Sequence, residues 1–254
     1  MHDMCPVNVH WHLGAEHYSL GQFDENGSGP NGNSFGPSGV DATDGVQSGY
    51  RCNLYDESDP MFTTPYVWKY CKDMVVGETY EVHWPHSYAG ACGTPNQYQT
   101  PFYDGVFCQI EKLDLVNAGA TAGQIGVQAQ VFTIVNDDRY YYPDLMRGMI
   151  KDGAYGQDIA KYTGSTTGSK RSNSICSAYS PITWQVDRQC HLISASSFDQ
   201  MCYDMLNQRD DMSDDVHPHG SRELVADDLA ANNHQRKLRA YIHSHHFSPR
   251  HIHT

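Results

Sequence analysis

The sequence is short of positive charge. Lys and Arg together number 17 against 30 Asp and Glu, a net charge of −13 over 254 residues. That sign repels polyanions, which disfavours non-specific binding to nucleic acid or to anionic membrane surfaces. No apolar run approaches the ~20 residues of a membrane-spanning helix, and no basic-then-apolar leader opens the chain, as in a mature or trimmed form. No CxxC pair occurs, so zinc-ribbon and thioredoxin chemistry have no support. The nucleophile-elbow pattern of Ser hydrolases is missing as well. Gly27-Ser28-Gly29 lacks the strand-to-helix setting of a phosphate cradle. No internal repeat is present.

Aromatic residues and cysteine are plentiful. The aromatic fraction is 11 %, with 17 Tyr, more rings than a disordered chain carries. With no clear internal boundary, residues 1–254 read as one domain, long enough to bury a sizeable core. Residues 242–254 form a His-rich tail that can be solvated and metal-sticky without being a site. Eight scattered cysteines (Cys5, Cys52, Cys71, Cys92, Cys108, Cys176, Cys190, Cys202) in an acidic chain rich in Gly, Ser, Asn and Tyr predict disulfides. They also predict a secreted, cell-surface or organelle-lumen location.

Residues 7–13, 75–84, 105–116, 125–135 and 182–193 read as strands by alternation and β-rich composition. Ile125, Val127, Ala129 and Val131 share one face of theirs. Asp24 to Gly49 is a Gly/Ser/Asn/Pro-rich surface loop, and Ala89 to Pro101 another connection. Ser197 with Gln200 three residues on predicts a capped helix through Met205, and Leu224 to Tyr241 a second. The expected fold is mainly β with peripheral helices (α+β), around a central, largely antiparallel sheet.

The chemistry concentrates in Asn8-Val9-His10-Trp11-His12. Strand residues i and i+2 face the same way, about 6.6 Å apart at ~3.3 Å per residue, so two imidazoles can converge on one ion. Glu81-Val82-His83-Trp84 repeats the alternation on another strand. If the two strands are sheet neighbours, His83 completes a three-histidine set with an open fourth position, the coordination of a catalytic zinc. Asn8 and Glu81 share faces with these ligands and can fix ring tautomers. His17 and His86 lie beside the same strands and are expected to be dispensable for metal binding.

The runs VNVHWHLGAEH and VHWPHS resemble the delta class of carbonic anhydrases, with local similarity to the alpha class. In the alpha class an HxH strand is followed by Ser-Glu-His, an E-x-H strand, a Gly-Ser-Leu-Thr-Thr segment and a Val-Thr-Trp strand. Here Ala15-Glu16-His17, Glu81-Val82-His83, Gly164-Ser165-Thr166-Thr167 and Ile182-Thr183-Trp184 follow in that order. The resemblance implies an alpha-carbonic-anhydrase-like fold and a zinc enzyme interconverting carbon dioxide and bicarbonate through zinc-bound hydroxide. It implies His10, His12 and His83 as ligands of Zn2+, a metal for which Co2+ or Cd2+ could substitute. Glu16 and Thr166 or Thr167 would orient the hydroxide, and Trp184 would border the carbon-dioxide pocket. Cys176, between the Thr pair and Trp184, would anchor the active-site loop to an N-terminal partner such as Cys5.

Two other readings stay open. His10-x-His12-x3-Glu16 also fits a cupin, a jelly roll in which Glu16 is itself a ligand and the metal supports oxygenase chemistry. The His-rich C-terminus fits a non-catalytic metal-binding secreted protein.

Overall fold

A computed structural model describes residues 4–30, 48–87, 92–94, 97–98, 125–164, 182–208 and 215–221. Its centre is a six-stranded sheet. Strand β5 (Thr79–Ser87) lies between β6 (Ile125–Val135) on one side and two short strands, β1 (Cys5–Pro6) and β2 (His10–Leu13), on the other. Beyond β6 come β8 (Ile182–Ser194) and then β7 (Ile159–Gly164). A separate two-stranded ribbon joins β3 (Phe23–Asp24) to β4 (Arg51–Cys52). The fold is mainly β, as the sequence predicts, but the sheet is mixed, because β6 and β8 run parallel.

Alternation gives the sheet two different faces. Trp11, Tyr80, Val82, Trp84, Phe132, Ile134 and Ile193 are buried on one side. Helix α2 (Ala195–Asn207), the longer of the two α-helices among the described residues after the short α1 (Pro60–Thr63), covers that side with Phe198, Met201, Cys202 and Met205. The indole N–H groups are satisfied there: Trp84 Nε1 donates to Leu145 O at 2.8 Å and Trp11 Nε1 to Met74 Sδ at 3.1 Å. The opposite face carries His10, His12, Glu81, His83, Ala129, Val131, Trp184 and Cys190, so the apolar face fixes the strands whose other side presents the polar groups.

Several boundaries differ from the sequence reading. Of the 7–13 run only His10–Leu13 is strand, and residues 7–9 link it to the short β1 at Cys5–Pro6. Strand β5 begins at Thr79 rather than Val75, because Gly77 takes φ +87° and turns the chain. The cap of α2 is Ser194, whose Oγ accepts from Ser197 N–H at 3.2 Å. The Ser197 hydroxyl instead accepts from Tyr142 N–H at 2.7 Å. Strand 125–135 matches its expected limits, and 182–193 gains one residue. The strand expected over 105–116, the helix over 224–241 and the tail 242–254 lie outside the described residues.

Between Ala129 and Val131 the β6/β8 register shifts. Asp187 fills the irregularity: its Oδ2 accepts from Gln130 Nε2 at 2.8 Å, His191 Nε2 at 2.7 Å and Gly156 N–H at 2.8 Å. Burial would raise its pKa, but these donors hold it below the ordinary aspartate value.

Among the described residues three disulfides tie separate segments together: Cys5–Cys92, Cys52–Cys190 and Cys71–Cys202. Cys5 does not pair with Cys176. It lies beside Ser87 at the end of β5, and the chain leaving that strand supplies Cys92. Cys108 and Cys176 lie outside the described residues. The bridges fit an oxidising compartment. Among the described residues no helix is long and apolar enough to cross a membrane. Cys52–Cys190 links the ribbon to β8 across 138 residues of sequence. Replacing both cysteines by Ala is expected to lower the unfolding free energy by roughly 2–5 kcal/mol, read as a lower denaturant midpoint.

Candidate metal centre

The site begins with strand register. In the antiparallel pairing of β2 with β5, His10 lies opposite His83 and His12 opposite Glu81. All three histidines are buried, and one ring nitrogen from each lies within 4.8 Å of the others. Ring centroids are 5.1 Å apart for His10–His12, 5.3 Å for His10–His83 and 4.6 Å for His12–His83.

Each ring has a neighbour at a second nitrogen. Asn8 Oδ1 lies 2.6 Å from His10 Nδ1, and the Gly220 carbonyl 3.0 Å from His12 Nδ1. Both oxygens only accept, so each ring donates from Nδ1–H and leaves Nε2 as its lone-pair nitrogen. His83 Nε2 lies 3.3 Å from Glu81 Oε1 and 3.9 Å from Glu16 Oε2 without making a hydrogen bond. That nitrogen faces the carboxylates, which leaves Nδ1 for an ion.

Two buried carboxylates lie behind the rings. Gly14, at φ +78°, reverses the chain after β2. A side chain there would come within 2.7 Å of the Gly49 backbone, so the close crossing requires glycine. The turn delivers Ala15-Glu16-His17 beneath the rings, fixed by Ala15 N–H to Tyr50 O at 2.7 Å and its reciprocal at 2.9 Å. Glu81 then accepts from the Glu16 backbone N–H and from His17 Nδ1, the latter at 2.5 Å. Glu16 Oε1 lies 3.4 Å from His12 Nδ1. Trp184 packs edge-on against His83 at 5.1 Å and His17 at 4.9 Å.

The electrostatics favour neutral imidazoles. Burial, reinforced by His12, His219 and His83, holds His10 well below the usual histidine pKa. Burial lowers His12 to about 4, against a partial upward pull from Glu16. Neutral nitrogen is the form that binds a metal. Burial pushes Glu81 up, but His17 and His83 outweigh it and hold the carboxyl well below the usual glutamate range. The donor set fits a tetrahedral, borderline-soft cation: three buried imidazole nitrogens within 4.8 Å of one another, with carboxylates behind them.

Of the residues singled out by sequence, the structure brings together His10, His12, His83, Asn8, Glu81, Glu16 and Trp184. Thr166 and Thr167 lie outside the described residues. His86 is remote from the cluster, its Nδ1 turned to Trp84 O at 2.7 Å. Sequence reasoning missed His17 as a partner of Glu81, Gly220 as a partner of His12, and His219. His17 follows Glu16 directly, a usable signal. Gly220 acts through a backbone carbonyl more than 200 positions away, and no residue type announces that.

These features define a buried three-histidine cluster, on a mainly-β sheet, that could hold a metal ion. The delta carbonic anhydrase family model matches residues 1–197. No curated protein and no solved structure was found to match the chain. With most of its length matched, the chain belongs to the delta carbonic anhydrase family and is an enzyme of that class.

The metal-free protein is expected to lose stability as pH falls from about 6.5 to about 4. In that window the unfolded chain protonates His12 and the folded chain does not, so unfolding takes up a proton and acid favours it. His12→Gln should flatten the slope of unfolding free energy against pH by about one proton there. Denaturant titrations in chelator at several pH values measure it.

Proposed function

We propose that His10, His12 and His83 hold one Zn2+ and that the protein catalyses reversible hydration of carbon dioxide to bicarbonate and a proton. The observation that carries this is the convergence of the three buried ring nitrogens within 4.8 Å, in a chain of the delta carbonic anhydrase family. Zinc on three neutral ligands lowers the pKa of a bound water to about 7, an effect for which carbonic anhydrases are the type example.

The protein's own groups do the rest. Asn8 and the Gly220 carbonyl hold the Nδ1 protons of His10 and His12, keeping their Nε2 lone pairs on the ion. Glu81 sets its carboxylate charge 3.3 Å from His83 Nε2, and His17 fixes Glu81. Glu16 is the fixed acceptor that orients a hydroxyl beside the reacting water, with Thr166 or Thr167 supplying that hydroxyl. Trp184 gives the small neutral substrate an apolar wall next to His83. A set of three imidazole nitrogens would also accept Co2+ or Cd2+ in place of zinc. The disulfides support secretion, a cell surface or an organelle lumen as the working location.

The cupin alternative needs Glu16 as a ligand. The three-donor groups among the described residues are His10/His12/His83 and His17/Glu81/His83, and Glu16 is in neither. Among the described residues the strands also form one mixed six-stranded sheet and a small ribbon rather than two facing sheets.

His10→Ala, His12→Ala and His83→Ala should each lose most of the metal and nearly all hydration activity. Glu16→Gln should keep the metal while turnover falls roughly 10–100-fold. Stopped-flow carbon-dioxide hydration, with zinc content measured on the same samples, decides both. Full zinc occupancy in His83→Ala would overturn the ligand set, and zinc loss in Glu16→Gln would revive the cupin reading.

A further inference from the structure

The short segment 215–221 lies beyond the part of the chain that the family model matches, yet it lines the metal centre. It runs along the edge of β2 away from β5. Leu13 N–H donates to His219 O at 2.8 Å and His219 N–H to Trp11 O at 2.7 Å. Ser221 Oγ donates to Leu13 O at 2.8 Å, and buried Val216 accepts from Lys72 N–H at 2.8 Å. These bonds place the His219 ring flat against His10, with centroids 5.2 Å apart and planes 14° from parallel. The same ring meets His12 edge-on at 5.5 Å. Its Nε2 is engaged by buried Asp215, and His219 is outside the converging donor groups.

We propose that His219, held by Asp215, is a positioning residue of the metal centre: its ring lies over His10 and slows release of the metal. The proposal rests on the reading of His10, His12 and His83 as the ligand set. For the ion to leave, a ligand ring must swing off it or a competing donor must enter. His10 is gripped at Nδ1 by Asn8, and its face is blocked by the His219 ring. Swinging His10 away therefore means displacing the stack as well as breaking one hydrogen bond. The Asp215 contact keeps the covering ring in that plane. On this view the ring needs to be flat and fixed, and it need not bind metal.

The test is the rate at which the full-length protein, loaded with Co2+, gives up its metal to excess chelator. The fading visible absorption of the bound ion reports it independently of hydration activity. His219→Ala should release metal about tenfold faster, the lower end of what loss of a ligand-supporting group costs. His219→Phe keeps a flat ring and should restore slow release, and Asp215→Ala should be intermediate. His217→Ala, on the same segment, should release at the wild-type rate. Denaturant midpoints of the metal-free variants separate the effect from general loosening. Release from His219→Ala at the wild-type rate, or from His219→Phe as fast as from His219→Ala, would overturn the proposal. Should His10→Ala retain Co2+ as tightly as wild type, the ligand set itself is wrong and the proposal falls with it.

Discussion

The site depends on one pairing, the antiparallel register of β2 against β5. It places His10 across from His83 and His12 across from Glu81. A shift of β2 by one residue would send Trp11 to the polar face and His10 and His12 into the apolar layer, away from His83. Burial of Trp11, Tyr80, Val82 and Trp84 beneath α2 opposes that shift, since each large side chain is worth about 1.5–3 kcal/mol of transfer free energy. The apolar face thus enforces the register from which the metal face takes its geometry.

The metal face is costly to bury. His10, His12, His17, Glu16, Glu81 and His83 are all nearly inaccessible, and buried polar groups without partners are destabilising. Much of that cost is offset locally. Glu81 accepts from His17 and from the Glu16 backbone N–H, and Asn8 and Gly220 receive ring protons. The surrounding frame is held by other means. Arg51 grips Glu78 through Nε at 2.8 Å and Nη2 at 2.5 Å, a buried two-pronged ion pair. The Cys52–Cys190 bridge ties the same ribbon to β8.

What could be read from the sequence followed from periodicity. His10-x-His12 and Glu81-x-His83 carry the period of a strand, and their apolar partners Trp11, Val82 and Trp84 point to a buried back face. That alternation makes the clustering of His10, His12 and His83, with Asn8 and Glu81 beside them, legible in the sequence. Composition does not encode which strands run parallel, so the β6/β8 pairing was hidden. The cap of α2 was misplaced because Ser194, Ser196 and Ser197 all suit an N-cap by residue type. The choice is made by packing, which assigns the Ser197 hydroxyl to Tyr142. Glu16 was visible as a motif, but its placement under the rings depends on the meeting of Gly14 and Gly49, a long-range contact.

The contribution of 215–221 shows why the centre extends past the recognisable family region. Hydrogen bonds to β2 made by backbone atoms leave side-chain identity largely free, so a carbonyl such as that of Gly220 can hold His12 whatever residue bears it. Asn8 and Glu81 act through side chains and must be specific residue types at fixed spacing from His10 and His83. Both kinds of support act on the same imidazoles, and only the second leaves a pattern in the sequence. His219 falls between the two: its backbone secures the segment, while its ring against His10 gives its side chain a reason to be flat.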